Sequence, residues 1–153
     1  MAATIDYPAD LPPPLRSGYG INHVSPLQRT ELATGRAIQR RRYTSVPSIA
    51  SVSWNLSQVQ AQVFEGWFRW TLSDGAEWFN ARLRTPLGLR DYECRFVGMY
   101  EGPDLIGVDR WKFSADLEIR ERQTVDAILA AHPDIILGAA IIDIAINREW
   151  PAA

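Results

Sequence analysis

The chain has 153 residues, of which 46% are hydrophobic and 22% are charged, and its formal net charge is −2. This length is sufficient for one domain with a hydrophobic core, and the composition excludes wholesale disorder. The slightly acidic balance argues against a dedicated non-specific DNA-binding protein, and the single cysteine excludes an internal disulfide and a cysteine-based zinc site.

No signal peptide is visible at the N-terminus, and the longest apolar run, Ile135–Ile146, is short for a membrane span and contains Asp143. We therefore expect a soluble protein without a membrane span. Six tryptophans are many for this length and favour a well-packed or partnered protein.

Residues 1–34 are predicted to form an extended, proline-rich N-terminal arm. Proline fixes the backbone angle φ and removes a hydrogen-bond donor, so the arm has little core of its own. The arm could lie on the rest of the fold, lie on a neighbouring subunit, or remain a flexible terminus. Its prolines are Pro8, Pro12, Pro13, Pro14 and Pro26.

Two strands are predicted after the arm. The segment Arg36–Val46 has no helical stripe and contains Thr, Val and Tyr, which favour a strand. The segment Ser48–Leu56 alternates small or polar residues with apolar ones, which also indicates a strand. A turn near Val46–Ser48 lies between them, and we predict that the two strands pair as a hairpin.

A helix is predicted to begin at Ser57, which is a favourable N-cap residue, and to end near Gly75. Apolar residues recur in this segment at spacings of three and four, so one face should pack against the core. The predicted buried stripe consists of Val59, Val63, Phe64, Trp67, Phe68 and Trp70.

Three more strands are predicted downstream, at residues 78–85, 91–100 and 109–122, with a turn at residues 86–91 and a loop at Gly102–Gly107. A short helix, Thr124–Pro133, is followed by an apolar segment that fits either a strand or a helix. The fold class is therefore mainly β (α+β). We expect a small antiparallel β-sandwich or barrel with one packed helix over residues 35–122, and a C-terminal extension over residues 123–153.

No catalytic or cofactor-binding constellation is predicted. The two histidines, His23 and His132, and the single Cys94 lie in different segments, so a metal site is not expected. Nucleophile-elbow and phosphate-loop motifs are missing. We expect that the protein is not an enzyme and that it binds neither a metal ion nor a cofactor. The carboxylate pairs that an enzyme would use, and that we assign to solvated surfaces, are Glu65 and Glu77, Asp91 and Glu93, and Asp116 and Glu118.

The candidate site is basic: Arg36, Arg40, Arg41 and Arg42. These arginines could contact nucleic-acid phosphates, pair with Asp116 and Glu118 across strands or subunits, or mark a charged, solvated edge strand. In a strand, Arg40 and Arg42 share one face, and Arg41 and Tyr43 share the other.

The order of elements resembles that of tailed-bacteriophage minor tail proteins of the distal-tail type, which are similar to minor tail protein M. The matching stretches are the turn at Gly18–Gly20, the segment Gly75–Thr85 with Pro86, and the strand Phe113–Glu118, and the resemblance spans Gly18 to Arg122. It implies a virion structural protein with a compact β fold. Such a protein assembles as a ring, often sixfold, and connects the tail tube to the tip or baseplate.

The resemblance implies self-association, other phage tail proteins as partners, and location in the virion tail after assembly in the bacterial cytoplasm. In such a ring, a strand face that points into the axial channel would contact DNA. One alternative is a virion adaptor that joins head to tail or attaches tail fibres. A second is a nucleic-acid-binding accessory protein that uses the arginines, and an enzyme with paired carboxylates ranks last.

Overall fold

A computed structural model of the protein describes residues 3–139 and 141. The chain divides into two compact units, Met1–Gln123 and Thr124–Ala153. Strands account for 42% and helices for 19%, in a mixed seven-stranded sheet, a small second sheet and one main helix. The predicted mainly-β α+β class is therefore confirmed.

The described strands are β1 Ile5–Asp6, β2 Gly20–His23, β3 Leu27–Glu31, β4 Ala37–Arg41, β5 Ser48–Ser57, β6 Phe79–Thr85, β7 Gly88–Phe96, β8 Glu101–Ile106 and β9 Arg110–Ile119. The strands of the larger sheet follow the order β1-β6-β7-β9-β5-β2, and β8 pairs with the part of β9 that β7 leaves free. All of these pairs are antiparallel except β1–β6, which is parallel. The second sheet contains β3 and β4.

The centre of the sheet is the β5–β9 ladder, which pairs residue for residue from Ser48↔Ile119 to Ser57↔Arg110. Both strands alternate between a buried and a more exposed face, as their sequences predict. One side of the ladder therefore forms the core. Its fully or almost fully buried members are Ala50, Val52, Trp54, Leu56, Phe113, Leu117 and Ile119.

The main helix, α1 (Gln58–Gly66), begins as predicted with Ser57 as N-cap, and it continues as a π-helical turn over Trp67–Thr71. The Ser57 hydroxyl accepts a hydrogen bond from the Gln60 amide, and the Gln60 side chain accepts one from the Ser57 amide. This reciprocal capping box satisfies two amides that would otherwise lack partners.

The predicted buried stripe of α1 is only partly right. Phe64, Trp67 and Phe68 are buried, but Val59, Val63 and Trp70 are 69%, 41% and 77% exposed. The segment carries two apolar stripes, and only one of them can face the sheet. The buried stripe is the one that contains Phe64, Trp67 and Phe68. It packs on the sheet, where the Phe64 ring centroid lies 4.8 Å from that of Phe113.

Three predictions for the strands and their connections are corrected. Strand β4 pairs with β3 and not with β5, since β2 and β9 occupy both edges of β5. The predicted loop Gly102–Gly107 is mostly strand β8, which holds Pro103 at an irregular position of an edge strand, where proline is tolerated. The predicted turn at residues 86–91 is shorter, because β7 already begins at Gly88.

The N-terminal segment lies on the sheet. Strand β1 pairs with β6 at one end of the strand order, and β2 pairs with β5 at the other. Between them Leu11 is buried, and the Leu15 amide donates a 2.7 Å hydrogen bond to the Ser53 carbonyl. The predicted arm, residues 1–34, ends in the turn between β3 and β4. It therefore contributes three strands, β1, β2 and β3.

The second unit contains α2 (Ala127–Ala130) and a further helical stretch at residues 133–139 and 141. The predicted helix Thr124–Pro133 is therefore shorter, and Pro133 begins the next helix, where its missing amide hydrogen has no cost. The remainder of the apolar segment lies outside the described residues. Over the described residues, no helix is both long and apolar enough to cross a membrane.

Candidate functional site

The predicted site residues lie on a two-stranded hairpin, residues 26–43, which we call the arginine hairpin. Its ladder runs from Leu27↔Arg41 to Glu31↔Ala37. The turn is closed by a 2.9 Å hydrogen bond from the Leu32 amide to the Arg36 carbonyl, and Gly35 adopts φ +79° within it. Glycine is suited to this left-handed conformation, so the local sequence supports the tight turn.

Among residues 3–139 and 141, the hydrogen bonds and ring contacts of the arginine side chains are local. Arg40 lies opposite Gln28 and donates a long, 3.4 Å hydrogen bond to its Oε1 atom. Arg41 Nε donates to the Tyr43 carbonyl at 3.2 Å. Strand β4 ends at Arg41, and the Arg42 guanidinium lies 5.3 Å from the centroid of the Tyr43 ring. The alternation predicted for a strand therefore applies to Arg40 and Arg41, and Arg42 follows the last paired residue.

The arginine hairpin has no core of its own. Every residue of β4 is exposed, and so are four of the five in β3. Apolar side chains share this exposure: Leu27 is 48% and Ile38 58% exposed. An isolated two-stranded hairpin is only marginally stable in water. The hairpin therefore lacks the packing that stabilises the rest of the first unit.

The charge of the hairpin is opposite to that of the remaining chain. Residues 26–43 contain five arginines and one glutamate, a net charge of +4, which leaves −6 for the remainder. Within the described residues, the ion pairs are Arg95–Glu118 and Arg120–Glu93, and no hairpin arginine takes part in one. The basic surface is thus available to a partner.

The predicted pairing of the arginines with Asp116 and Glu118 does not occur within the chain. Asp116 accepts a 2.7 Å hydrogen bond from the Ser51 hydroxyl, and Glu118 forms a 2.7 Å ion pair with Arg95. Both carboxylates lie on the outer face of the central ladder and already have partners. Pairing between copies remains a prediction.

Sequence reasoning missed one contact between a serine and a histidine. A 2.7 Å hydrogen bond joins His23 Nδ1 and Ser48 Oγ, at the end of the β2–β5 ladder. The Ser48 side chain is completely buried, so a substrate could not reach its hydroxyl. The contact therefore ties β2 to β5. It could not be read from sequence, because 25 residues separate its partners and neither belongs to a motif.

Cys94, another group that could be chemically reactive, is buried. Burial, followed by the charge of Glu93, raises the pKa of the Cys94 thiol to about 12. A thiol with this pKa stays protonated and unreactive at neutral pH. The described residues contain no group of three or more His, Cys, Asp or Glu side chains that could hold a metal ion.

A second exposed surface lies on the outer side of α1. Val59, Val63 and Trp70 project on one face, and the Arg69 guanidinium lies 5.0 Å from the Trp70 ring centroid. Exposed apolar residues mark interaction surfaces where they form a contiguous patch. The sequence singled out these residues as apolar and periodic but assigned them to the core.

The chain matches no family model, no curated protein and no solved structure. The resemblance to distal-tail proteins stays a prediction that depends on the residues quoted for it. The geometry of the exposed surfaces is therefore the main evidence that bears on function.

Proposed function

We propose that this protein is a structural component of a bacteriophage tail. Copies of it would assemble into a ring, at the distal tail or at a tail junction, and connect the tail tube to the tip or baseplate. Its role is assembly rather than catalysis, and its place is the virion tail after assembly in the bacterial cytoplasm. Its partners are further copies of itself and other tail proteins.

The observation that supports this proposal is the exposed arginine hairpin. It forms a separate two-stranded sheet with almost no buried side chain, and its arginines form no ion pair with any described residue. Ordering such an element has an entropy cost that its own contacts hardly offset. Contacts with a neighbouring protein would supply the missing stabilisation.

A ring also accounts for the exposed strand edge of the larger sheet. All six residues of β8 are exposed, and among the strands that the structure describes β8 pairs with β9 alone. Unpaired strand edges promote aggregation unless they are covered or charged. A closed assembly of identical subunits covers the same edge in every copy.

The test is the mass and symmetry of the purified full-length chain, measured by native mass spectrometry and by particle imaging. We expect closed rings, and the resemblance implies sixfold symmetry. Imaging of labelled virions would distinguish a distal ring from the alternative adaptor role, in which the protein joins head to tail or attaches fibres. A chain that stays monomeric at all concentrations, with no contact to tails, would overturn the proposal.

A second candidate function is nucleic-acid binding, because five hairpin arginines have no carboxylate partner in the described residues. Contacts with phosphates release counterions, so affinity should fall steeply with salt, with a logarithmic slope of about −0.9 for each phosphate contacted. Changing Arg36, Arg40, Arg41 and Arg42 to alanine should abolish this binding. A flat salt response would eliminate this candidate.

A further inference from the structure

We infer that one face of the arginine hairpin contacts the phosphate backbone of duplex DNA without reading its base sequence. This face, which we call the arginine face, carries Arg36, Arg40 and Arg42. The inference rests on the proposed function for the place of the contact, which is the axial channel of the ring. It names the partner and assigns it to one side of a single element.

Strand register divides the five arginines of the hairpin between its two faces. In an antiparallel ladder, residues directly opposite each other point to the same side, and successive residues alternate. Two backbone hydrogen bonds extend the β3–β4 register by one residue at each end. The Leu32 amide donates to the Arg36 carbonyl at 2.9 Å, and the Arg42 amide donates to the Pro26 carbonyl at 2.8 Å. The arginine face therefore consists of Pro26, Gln28, Thr30, Leu32, Arg36, Ile38, Arg40 and Arg42.

The positive charge of the hairpin is concentrated on the arginine face. This face contains three arginines and no carboxylate, a net charge of +3, whereas the opposite face contains Arg29, Arg41 and Glu31, a net charge of +1. The three guanidinium groups are exposed and form no ion pair with any described residue. Their mutual repulsion is relieved by a partner that places negative charge along the whole face. DNA on this face leaves the opposite face free for the neighbouring protein that the proposed function requires.

The length of the arginine face suits a dense row of phosphates. A strand rises about 3.3 Å per residue, so about 7 Å separates Arg40 from Arg42 and about 20 Å separates Arg36 from Arg42 along the hairpin. Duplex DNA carries one negative charge per about 1.7 Å of its axis, so a contact of this length meets on the order of ten phosphates. Its major groove also admits a two-stranded ribbon. Few folded proteins present negative charge at that density, because like charges destabilise the compact state.

The arginines are suited to phosphate contacts rather than to base recognition. Base recognition needs side chains that are held in a fixed geometry. Among the described residues, the hydrogen bond that holds any of these three guanidinium groups is the long, 3.4 Å contact of Arg40 with Gln28. Proteins that bind single-stranded DNA stack its bases on several aromatic rings, and the hairpin contains a single aromatic residue, Tyr43. The partner is therefore the backbone of a duplex.

Three double variants of the full-length chain, each with two positive charges removed, test the inference. The pairs are R40Q with R42Q on the arginine face, R29Q with R41Q on the opposite face, and R16Q with R122Q outside the hairpin. All six arginines are exposed, so we expect folded proteins, which circular dichroism verifies. Fluorescence anisotropy measures the binding of a DNA duplex of about 30 base pairs at salt concentrations between about 50 and 200 mM.

The arginine-face variant should lose the most affinity and the most salt dependence. Each lost phosphate contact flattens the logarithmic salt slope by about 0.9, so R40Q with R42Q should flatten it by about 1.8 and weaken binding at low salt at least about 10-fold. The opposite-face and outside variants should each change the slope by less than about 0.5. R40K with R42K keeps both charges and should keep the wild-type slope. Two duplexes of unrelated sequence should bind within about threefold of each other.

Equal losses in the arginine-face and opposite-face variants would overturn the inference, and so would a slope that none of the variants changes. Binding of a polyglutamate peptide as tightly as the duplex would also overturn it and indicate an acidic protein as the partner. Native mass spectrometry of the same samples tests the proposed function separately. A wild-type chain that binds DNA through the arginine face but never assembles supports the inference and overturns the ring. A chain that assembles without binding DNA overturns the inference and leaves the ring.

Discussion

The sheet–helix core and the arginine hairpin are both built from antiparallel strands, but they use them differently. In the core, the Phe64 ring centroid lies 4.8 Å from that of Phe113 and 5.2 Å from that of Trp54, and all three side chains are buried. In the hairpin, a five-pair ladder carries exposed side chains only, apart from partly buried Gln28. Stability should therefore depend on the first region and assembly on the second.

The largest expected effect is that of removing a central ring. F113A should lower the free energy of unfolding by about 3–5 kcal/mol, because it leaves a cavity among buried aromatic side chains. Chemical denaturation of the monomeric protein measures this. The matched change in the hairpin, I38A, should stay within about 0.5 kcal/mol of the wild type, since Ile38 is exposed. Equal losses at both sites would erase the distinction between the regions.

A second test addresses Gly75, in the turn that follows the helical segment. G75A should destabilise the protein by about 1–3 kcal/mol, because Gly75 has φ +84° and an added Cβ would lie 2.8 Å from the Phe68 ring. Thermal unfolding provides the measurement. The control is G66A within the helix, where an added Cβ meets no atom within 4 Å and should stabilise by about 0.5–1 kcal/mol. A neutral G75A would contradict the close packing of this turn.

The capping box gives a smaller effect. S57A should cost about 1 kcal/mol, because the Gln60 amide loses the side chain that accepts its hydrogen bond. S57D should retain most of the stability, since aspartate also caps helices well. Denaturation curves of both variants would separate the loss of the cap from a general effect of changing the last residue of β5.

The last of these tests concerns the pH dependence and reactivity of the Cys94 thiol. Its pKa is raised to about 12 in the folded state and is about 8.5 when unfolded. Its contribution to stability is therefore fully present below about pH 8.5 and is lost progressively as the pH rises toward the folded value. At pH 8 a thiol reagent should modify Cys94 only as fast as the core opens, while a cysteine introduced by I38C should react at once. Fast modification of native Cys94 would show that the core opens locally.

Much of the core could be predicted from the sequence. The two-residue period identified β5 and β9 as strands, because each has one buried and one solvated face. Ser57 marked the start of α1 through a local hydrogen-bonding pattern. These features depend on residues close together in the chain.

The remainder depends on contacts that the sequence does not specify. The helix carries two overlapping apolar stripes, and only the packing of Phe64 and Phe68 against the sheet decides between them. The partner of β4 lies in a segment assigned to the arm, so its hairpin could not be identified. The four site arginines were recognised, but their exposure, which is the basis for the functional proposal, required the structure.

The most direct test of the separation between core and hairpin is to replace residues 27–42 with a short glycine–serine linker and to measure the oligomeric mass of the product. The account predicts a folded protein, with nearly the melting temperature of the wild-type monomer, that does not form the ring proposed for the wild type. A linker variant that still assembles into the same ring would contradict it.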